Sequence, residues 1–245
     1  MYNYDNTFFD YIDSGSYQSA EVVSHALLRV LKIETILDVG CGRGAWLKAW
    51  REAGVSDITG VDGHYVQPET LAIPSPCFVP VDLEKPIDIQ RQFDLVQCLE
   101  VAEHLHEDAA DTLVDNLCRH GKLVLFSAAV PGQGGEFHVN EQPIDYWQKK
   151  FAERGYTAYD FVRNEVEGNA QVMAWYRFNS LLYIHQSYPV PKEISSYRVA
   201  GKPSETFSVP LWWRLRNAFL GLLLPFQMVN QLAKAKHRLH LLLFR

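Results

Sequence analysis

Five consecutive residues, Glu100-Val101-Ala102-Glu103-His104, set two carboxylates and an imidazole at i, i+3 and i+4. They share one face if the backbone turns helical there. This is metal-ligand spacing, and a further imidazole, His138, stands in the glycine-rich stretch AAVPGQGGEFHVNEQP. Two Glu and two His with open positions suit Mn, Fe, Co or Zn as readily as Mg, which prefers oxygen throughout. A divalent ion so held lowers the pKa of an alcohol and orients it as a nucleophile. Two plainer readings remain open. Without a metal, His104 or His138 serves as a general base. Alternatively, Glu103 and His104 merely start a helix through capping and dipole effects. His106 and Glu107 read as solvated turn residues.

A second constellation is Asp38-Val39-Gly40-Cys41-Gly42-Arg43-Gly44. Glycines at alternate positions let backbone approach a ligand and let N–H groups at a helix start face it. The spacing is G-x-G-x-G rather than the dinucleotide G-x-G-x-x-G, and the Gly-Lys-Ser/Thr ending of a phosphate loop is absent. NAD and ATP are therefore disfavoured.

The elements that must position these groups alternate. Segment 17–32 spaces apolar residues as a helix and leads into a strand at Thr35–Val39. Ala45–Ala53 is helical by composition, and Ile58–Val61 is a strand ending at Asp62, which completes a βαβ unit. Strands are expected at Cys77–Val81, ending at Asp82, at Phe93–Leu99, ending at Glu100, and at Lys122–Ser127. Asp108–Arg119 is an amphipathic helix, Pro143–Arg154 a further one, and Thr157–Arg163 and Gln171–Phe178 two late strands, read as an edge hairpin. The pattern implies an α/β, doubly wound, mostly parallel sheet. Asp62, Asp82 and Glu100 then fall at C-terminal strand ends, where such sheets bind ligands.

The texts ILDVGCGRG, TGVD, VPVDL and FDLVQCLEVAEHL together resemble the class I S-adenosylmethionine-dependent methyltransferases over roughly residues 15–180. The resemblance implies a seven-stranded Rossmann-like sheet with the last strand antiparallel. It implies S-adenosylmethionine as cofactor, with Gly40, Gly42 and Gly44 along its methionyl and ribose portion. Asp62 would then meet the ribose hydroxyls, Asp82 and Leu83 the adenine edge, and Asp38 the amino end. Leu99 would join the cofactor contacts, and Ser19 would belong to a covering element or be a simple cap. The Glu100, Glu103, His104 and His138 pattern is similar to the metal site of small-RNA 2′-O-methyltransferases and ubiquinone-pathway O-methyltransferases. By that likeness Glu103, His104 and His138 are the catalytic candidates.

The stretch FSAAVPGQGGEFHVNEQPIDYW pairs polar groups (His138, Asn140, Glu141, Gln142) with Tyr146 and Trp147. Such a lining suits a hydroxyl-rich acceptor. It resembles bacterial methyltransferases of glycan and natural-product pathways, although Trp147 reads better as core. Net charge is −6, divided as about +6 over residues 201–245 and −12 before them, so an acidic catalytic portion argues against RNA as substrate. Beside O-methylation of a sugar or natural-product hydroxyl stand three alternatives: a small-RNA 2′-O-methyltransferase, a silent cofactor-binding module held by its tail, and a nicotinamide oxidoreductase.

A boundary is expected near residue 185, dividing residues 1–185 from a linker and a basic, apolar helical extension at 186–245. The tail from Leu211 is too broken to cross a bilayer. It reads either as a surface-lying helix pair, with Trp212 and Trp213 at the headgroups and Arg214, Arg216, Lys234 and Lys236 near anionic lipid, or as a lid or homodimer interface. Four cysteines without a CxxC pair and the absence of an apolar leader lead us to expect a cytoplasmic protein, peripheral to the inner membrane face if the tail binds lipid.

Overall fold

The computed structural model describes residues 6–202 and 209–223, with isolated positions 228, 231 and 235. Its centre is a seven-stranded sheet ordered β3-β2-β1-β4-β5-β7-β6. The strands are β1 Thr35–Val39, β2 Asp57–Asp62, β3 Phe78–Pro80, β4 Leu95–Leu99, β5 Leu123–Ser127, β6 Tyr156–Tyr159 and β7 Leu181–His185. Pairings from β3 through β5 are parallel, and β7 runs antiparallel to both β5 and β6.

The helices are α1 Asn6–Leu28, α2 Ala45–Glu52, α3 Ala110–His120, α4 Ile144–Ala152, α5 Phe161–Glu165, α6 Ala174–Asn179, α7 Lys192–Ser195 and α8 Leu211–Leu223. Strand alternation divides the core between the two faces of the sheet. Ile36, Leu95, Leu123, Leu125, Leu182 and Ile184 face one cluster with Leu27, Trp50 and Phe161. Leu37, Val96, Val124, Phe126, Leu181 and Tyr183 face the other, with Leu113 and Leu117 of α3 and Trp147 and Phe151 of α4. Phe151 stacks on Tyr183 at 4.0 Å between ring centroids.

Two sequence expectations are corrected here. Gln171–Phe178 is not a strand: residues 174–179 form α6, and the strand is the next apolar run, LLYIH. Aromatic content favours strand only where a neighbouring strand is available; here Tyr176 instead sets its ring edge-on to Trp46 of α2 at 5.0 Å. The late strand beginning at Thr157 stops at Tyr159, where Asp160 opens the short helix α5. The antiparallel β6–β7 pair is consequently joined through α5 and α6 and is not a hairpin.

The chain runs from β1 outward to β3 and then returns across β1 to β4. This reversal leaves a crevice beyond the C-terminal ends of β1 and β4, where open α/β sheets receive ligands. The glycine turn leaves β1 there, and the Glu100–His104 segment leaves β4. Past β7, the backbone continues along the sheet edge: Tyr159 bridges Arg198, and Ile194 of α7 is fully buried in the first cluster.

Candidate active site

The glycine turn is built around Asp62. Its buried carboxylate accepts the backbone N–H of Gly42 at 2.6 Å and of Gly63 at 2.6 Å, together with the Tyr65 hydroxyl. Burial raises the Asp62 carboxyl above its usual range, and these three donors pull it back. Gly40 stands at φ +84°, and a Cβ there would lie 2.4 Å from Cγ2 of Val101. The turn after β1 and the segment after β4 therefore touch, and only glycine permits that contact.

Asp38 lies beside this turn. Burial pushes its carboxyl up to about 7, a hydrogen bond with the Gln97 side chain opposes the rise, and the Asp62 charge adds to it. Gln97 is itself held by the Trp50 indole N–H, donated to its Oε1 at 2.8 Å. The buried Trp50–Gln97 pair thus sits beside Asp38, with Gln97 its register partner on β4, a neighbourhood that strand periodicity alone does not disclose.

Asp82 is half-buried, two residues past β3, and Lys85 lowers its carboxyl below the usual range. Leu83 and Leu99 are buried. Ser19 is fully buried, donating to the Gly15 carbonyl at 2.7 Å and accepting the Met173 N–H at 3.0 Å. It ties α1 to the segment before α6. Arg43 in the turn reaches Asp13 of α1 at 3.4 Å, which draws that helix over the glycine turn.

On the other side of the crevice, Ala102–His104 forms one helical turn. Glu103, His104 and His138 offer ligand atoms that all lie within 4.8 Å of one another. The two imidazoles meet edge to face at 4.8 Å. The Glu103 carbonyl accepts the N–H groups of Val139 and Asn140 at 2.8 and 3.0 Å, so the backbone itself clamps the two loops together.

Glu100 stands outside this triad. Its carboxylate accepts Gln133 Nε2 at 2.7 Å and Asn179 Nδ2 at 3.2 Å, and Asn179 also donates to Gln133 at 2.8 Å. Both Glu100 and Phe137, the residue before His138, adopt left-handed backbone at φ 55° and 61°. Non-glycine residues in this region are strained, and such strain gathers at sites whose surroundings hold them fixed.

The electrostatics fit a cation. Burial first and the Glu100 charge second raise Glu103 well above the usual carboxyl range. Its Oε2 is buried with no hydrogen-bond partner among the described residues. Burial first and His138 second pull His104 down to about 3, so it is neutral with a lone pair to offer at ordinary pH. His138 Nδ1 lies 2.8 Å from Glu141 Oε1. Glu141 is fixed in turn by the N–H groups of Gly132 and Gly134, at 2.8 and 2.7 Å. With Nδ1 engaged, Nε2 is the nitrogen that His138 can present. An oxygen and two nitrogens of this kind form a donor set that divalent transition ions accept.

On the acceptor side, Asn140 is buried with its Nδ2 lacking a hydrogen-bond partner among the described residues, while Gln142 donates to its Oδ1 at 2.9 Å. Trp147 packs in the core against Phe126, and Tyr146 is half-buried under Lys150. His106 pairs with Glu84 at the surface. Glu141 entered the sequence reading only as a polar lining residue. Its position three residues after His138 was the available signal for its second role. Asn179, 79 residues from Glu100, gave none.

A family model described as a methyltransferase domain matches residues 14–159, and the chain belongs to that family, of the class I, S-adenosylmethionine-dependent kind. Among solved structures it is similar to the plantazolicin methyltransferase bound to a monoazolic desmethylPZN analog and SAH (TM-score 0.51, 15% identity, covering 75% of this chain and 88% of that one). It is similar also to magnesium protoporphyrin IX methyltransferase from Synechocystis PCC 6803 with bound SAM (TM-score 0.50, 19% identity, covering 76% and 86%). At these identities the likeness shows the fold. A comparison with curated protein sequences gives no significant match.

Proposed function

We propose that this methyltransferase moves the methyl group of S-adenosylmethionine to a hydroxyl oxygen of a small, polar acceptor such as a sugar or natural-product hydroxyl. The observation that carries the reading is the Glu103, His104, His138 triad, set across the β1–β4 crevice from the glycine turn. Asp38 suits the cofactor's ammonium, the Gly40–Gly44 turn its methionyl portion, Asp62 its ribose hydroxyls, and Asp82 with Leu83 its adenine. Acceptor-only carboxylates match those donors. Tyr65, already on Asp62, belongs with that group.

A divalent ion held by Glu103, His104 and His138 would acidify and orient the acceptor alcohol. The remaining work falls to the chain. Gln133 and Asn179 hold Glu100 at the rim of the triad, and Asn140 is placed to bond the acceptor. The left-handed residues Glu100 and Phe137 fix the two loops that carry the triad, and transfer needs acceptor oxygen and methyl carbon in line. In the transfer, the acceptor O–H bond breaks and its proton leaves to solvent or to a site base. A C–O bond forms as the C–S bond breaks, giving a methyl ether and S-adenosylhomocysteine.

The test is calorimetric titration of chelator-treated protein with S-adenosylmethionine and, separately, with Mn. The Glu103→Ala variant should lose more than about 100-fold in Mn affinity while binding the cofactor as the wild type does. Transfer to a panel of hydroxylated sugars and phenols should then place the methyl on oxygen, read by NMR of a labelled methyl group. Unchanged Mn affinity in the variant, or methylation of nitrogen or sulfur, would overturn the reading.

A further inference from the structure

Helix α8 meets the body chiefly through Trp213 and Asn217, and the edge of the Trp212 ring also reaches Phe178 of α6 at 6.0 Å. Trp213 and Asn217 are buried, with the Trp213 ring 5.3 Å from Phe178 of α6. At about 100° per residue, these two lie opposite Leu211, Trp212, Leu215 and Phe219. Those four side chains are exposed at 66%, 54%, 60% and 56%. A continuous stripe of four large apolar groups left in water is unusual for a soluble surface and marks an interaction face.

What flanks the stripe identifies its partner. The same wheel puts Arg214, exposed, beyond one edge of it and Arg216 beyond the other, where its guanidinium lies 5.2 Å over the Trp213 ring and donates to Asn217 Oδ1 at 2.8 Å. Arginines on both shoulders of an apolar face are the arrangement of a helix lying in a lipid headgroup layer, where guanidinium groups meet phosphates and the stripe enters the acyl boundary. Residues 211–245 contain six Lys/Arg and no Asp or Glu. A second copy of this chain docked two-fold along α8 would set Arg214 and Arg216 against their own copies, which is self-repelling. An anionic surface complements them. No helix among the described residues is long and apolar enough to cross a membrane, so the contact is one of lying on the bilayer and not of spanning it.

We infer that α8 docks this protein on an anionic phospholipid surface through Leu211, Trp212, Leu215 and Phe219, with Arg214 and Arg216 at the phosphates. The seat of the helix is next to the site. Phe178, which receives Trp213, is followed in α6 by Asn179, which holds Glu100. Docking therefore engages the helix that seats on α6 beside the residue holding Glu100, and it does not depend on which acceptor is methylated.

The experiment is sedimentation of the full chain with phosphatidylglycerol vesicles and with phosphatidylcholine vesicles, at low and high salt. The wild type should bind phosphatidylglycerol at least about tenfold more tightly, with affinity falling as salt rises. The double variant Arg214→Gln/Arg216→Gln should lose about 25-fold, some fivefold per charge. The double variant Leu215→Glu/Phe219→Glu should not sediment at all, while binding S-adenosylmethionine as the wild type does. Absence of wild-type binding, or binding that survives Leu215→Glu/Phe219→Glu, would overturn the inference. So would a wild-type dimer that this variant converts to monomer without any vesicle binding, because the stripe would then be a contact between copies.

Discussion

Two carboxylates in this crevice differ in what a ligand must do to them. Asp38 holds a proton up to about pH 7 because it is buried. Between its ordinary value of 3.8 and about 7, the folded chain keeps a proton that the unfolded chain has lost. Its contribution to stability therefore declines as pH rises through that window. A cationic ammonium placed against it would reverse the preference and expel the proton. S-adenosylmethionine affinity should accordingly rise from pH 6 to pH 7.5 and then level off, with proton release seen as a dependence of the calorimetric heat on buffer identity. Asp38→Asn should flatten the profile; an unchanged slope would remove Asp38 from the cofactor contact. Glu141, the second carboxylate, acts through the imidazole of His138. Removing it frees Nδ1 and lets the ring turn, so Glu141→Ala should weaken Mn binding about 10–100-fold. Nitrogen NMR of His138 should show a single tautomer in the wild type and a mixture in the variant.

At the scale of elements, the decisive contact is between two turns. The glycine turn after β1 and the segment after β4 meet at Gly40 and Val101, in a conformation that L side chains adopt at a cost of about 1–2 kcal/mol, with overpacking of about 1–3 kcal/mol added. Gly40→Ala should therefore lower the unfolding free energy by at least about 2 kcal/mol in urea titration, and should weaken cofactor binding in parallel. A stable variant with full affinity would mean that the two turns are not locked together. The same scale separates what was readable in the chain from what was not. β1, α2, β2, β4 and β5 were legible because each couples a short apolar run to a turn signal. The region 171–185 was not. Trp175, Tyr176 and Phe178 satisfy strand preference as well as helix preference, and the choice was made by the α2 surface on which Tyr176 packs.

For the molecule as a whole, ligands that bind only the folded state should stabilise it by mass action. At 100 times its dissociation constant, a ligand contributes about 2.7 kcal/mol. Mn should raise the melting temperature of the wild type and leave Glu103→Ala unmoved, and S-adenosylmethionine should raise both. An equal response of the two proteins to Mn would place its binding elsewhere. By itself the sequence determined the layered architecture, the glycine turn, the carboxylates at the strand ends and the Glu-x-x-Glu-His spacing, because each depends on residues near one another in the chain. Only the tertiary structure decided which donors converge. Glu100 was turned to Gln133 and Asn179, Ser19 was tied into a helix contact, and Glu141 was set behind His138. Long-range backbone closure governs those outcomes, since the loops after β4 and β5 meet only once the strands have paired, and local periodicity carries no record of that meeting.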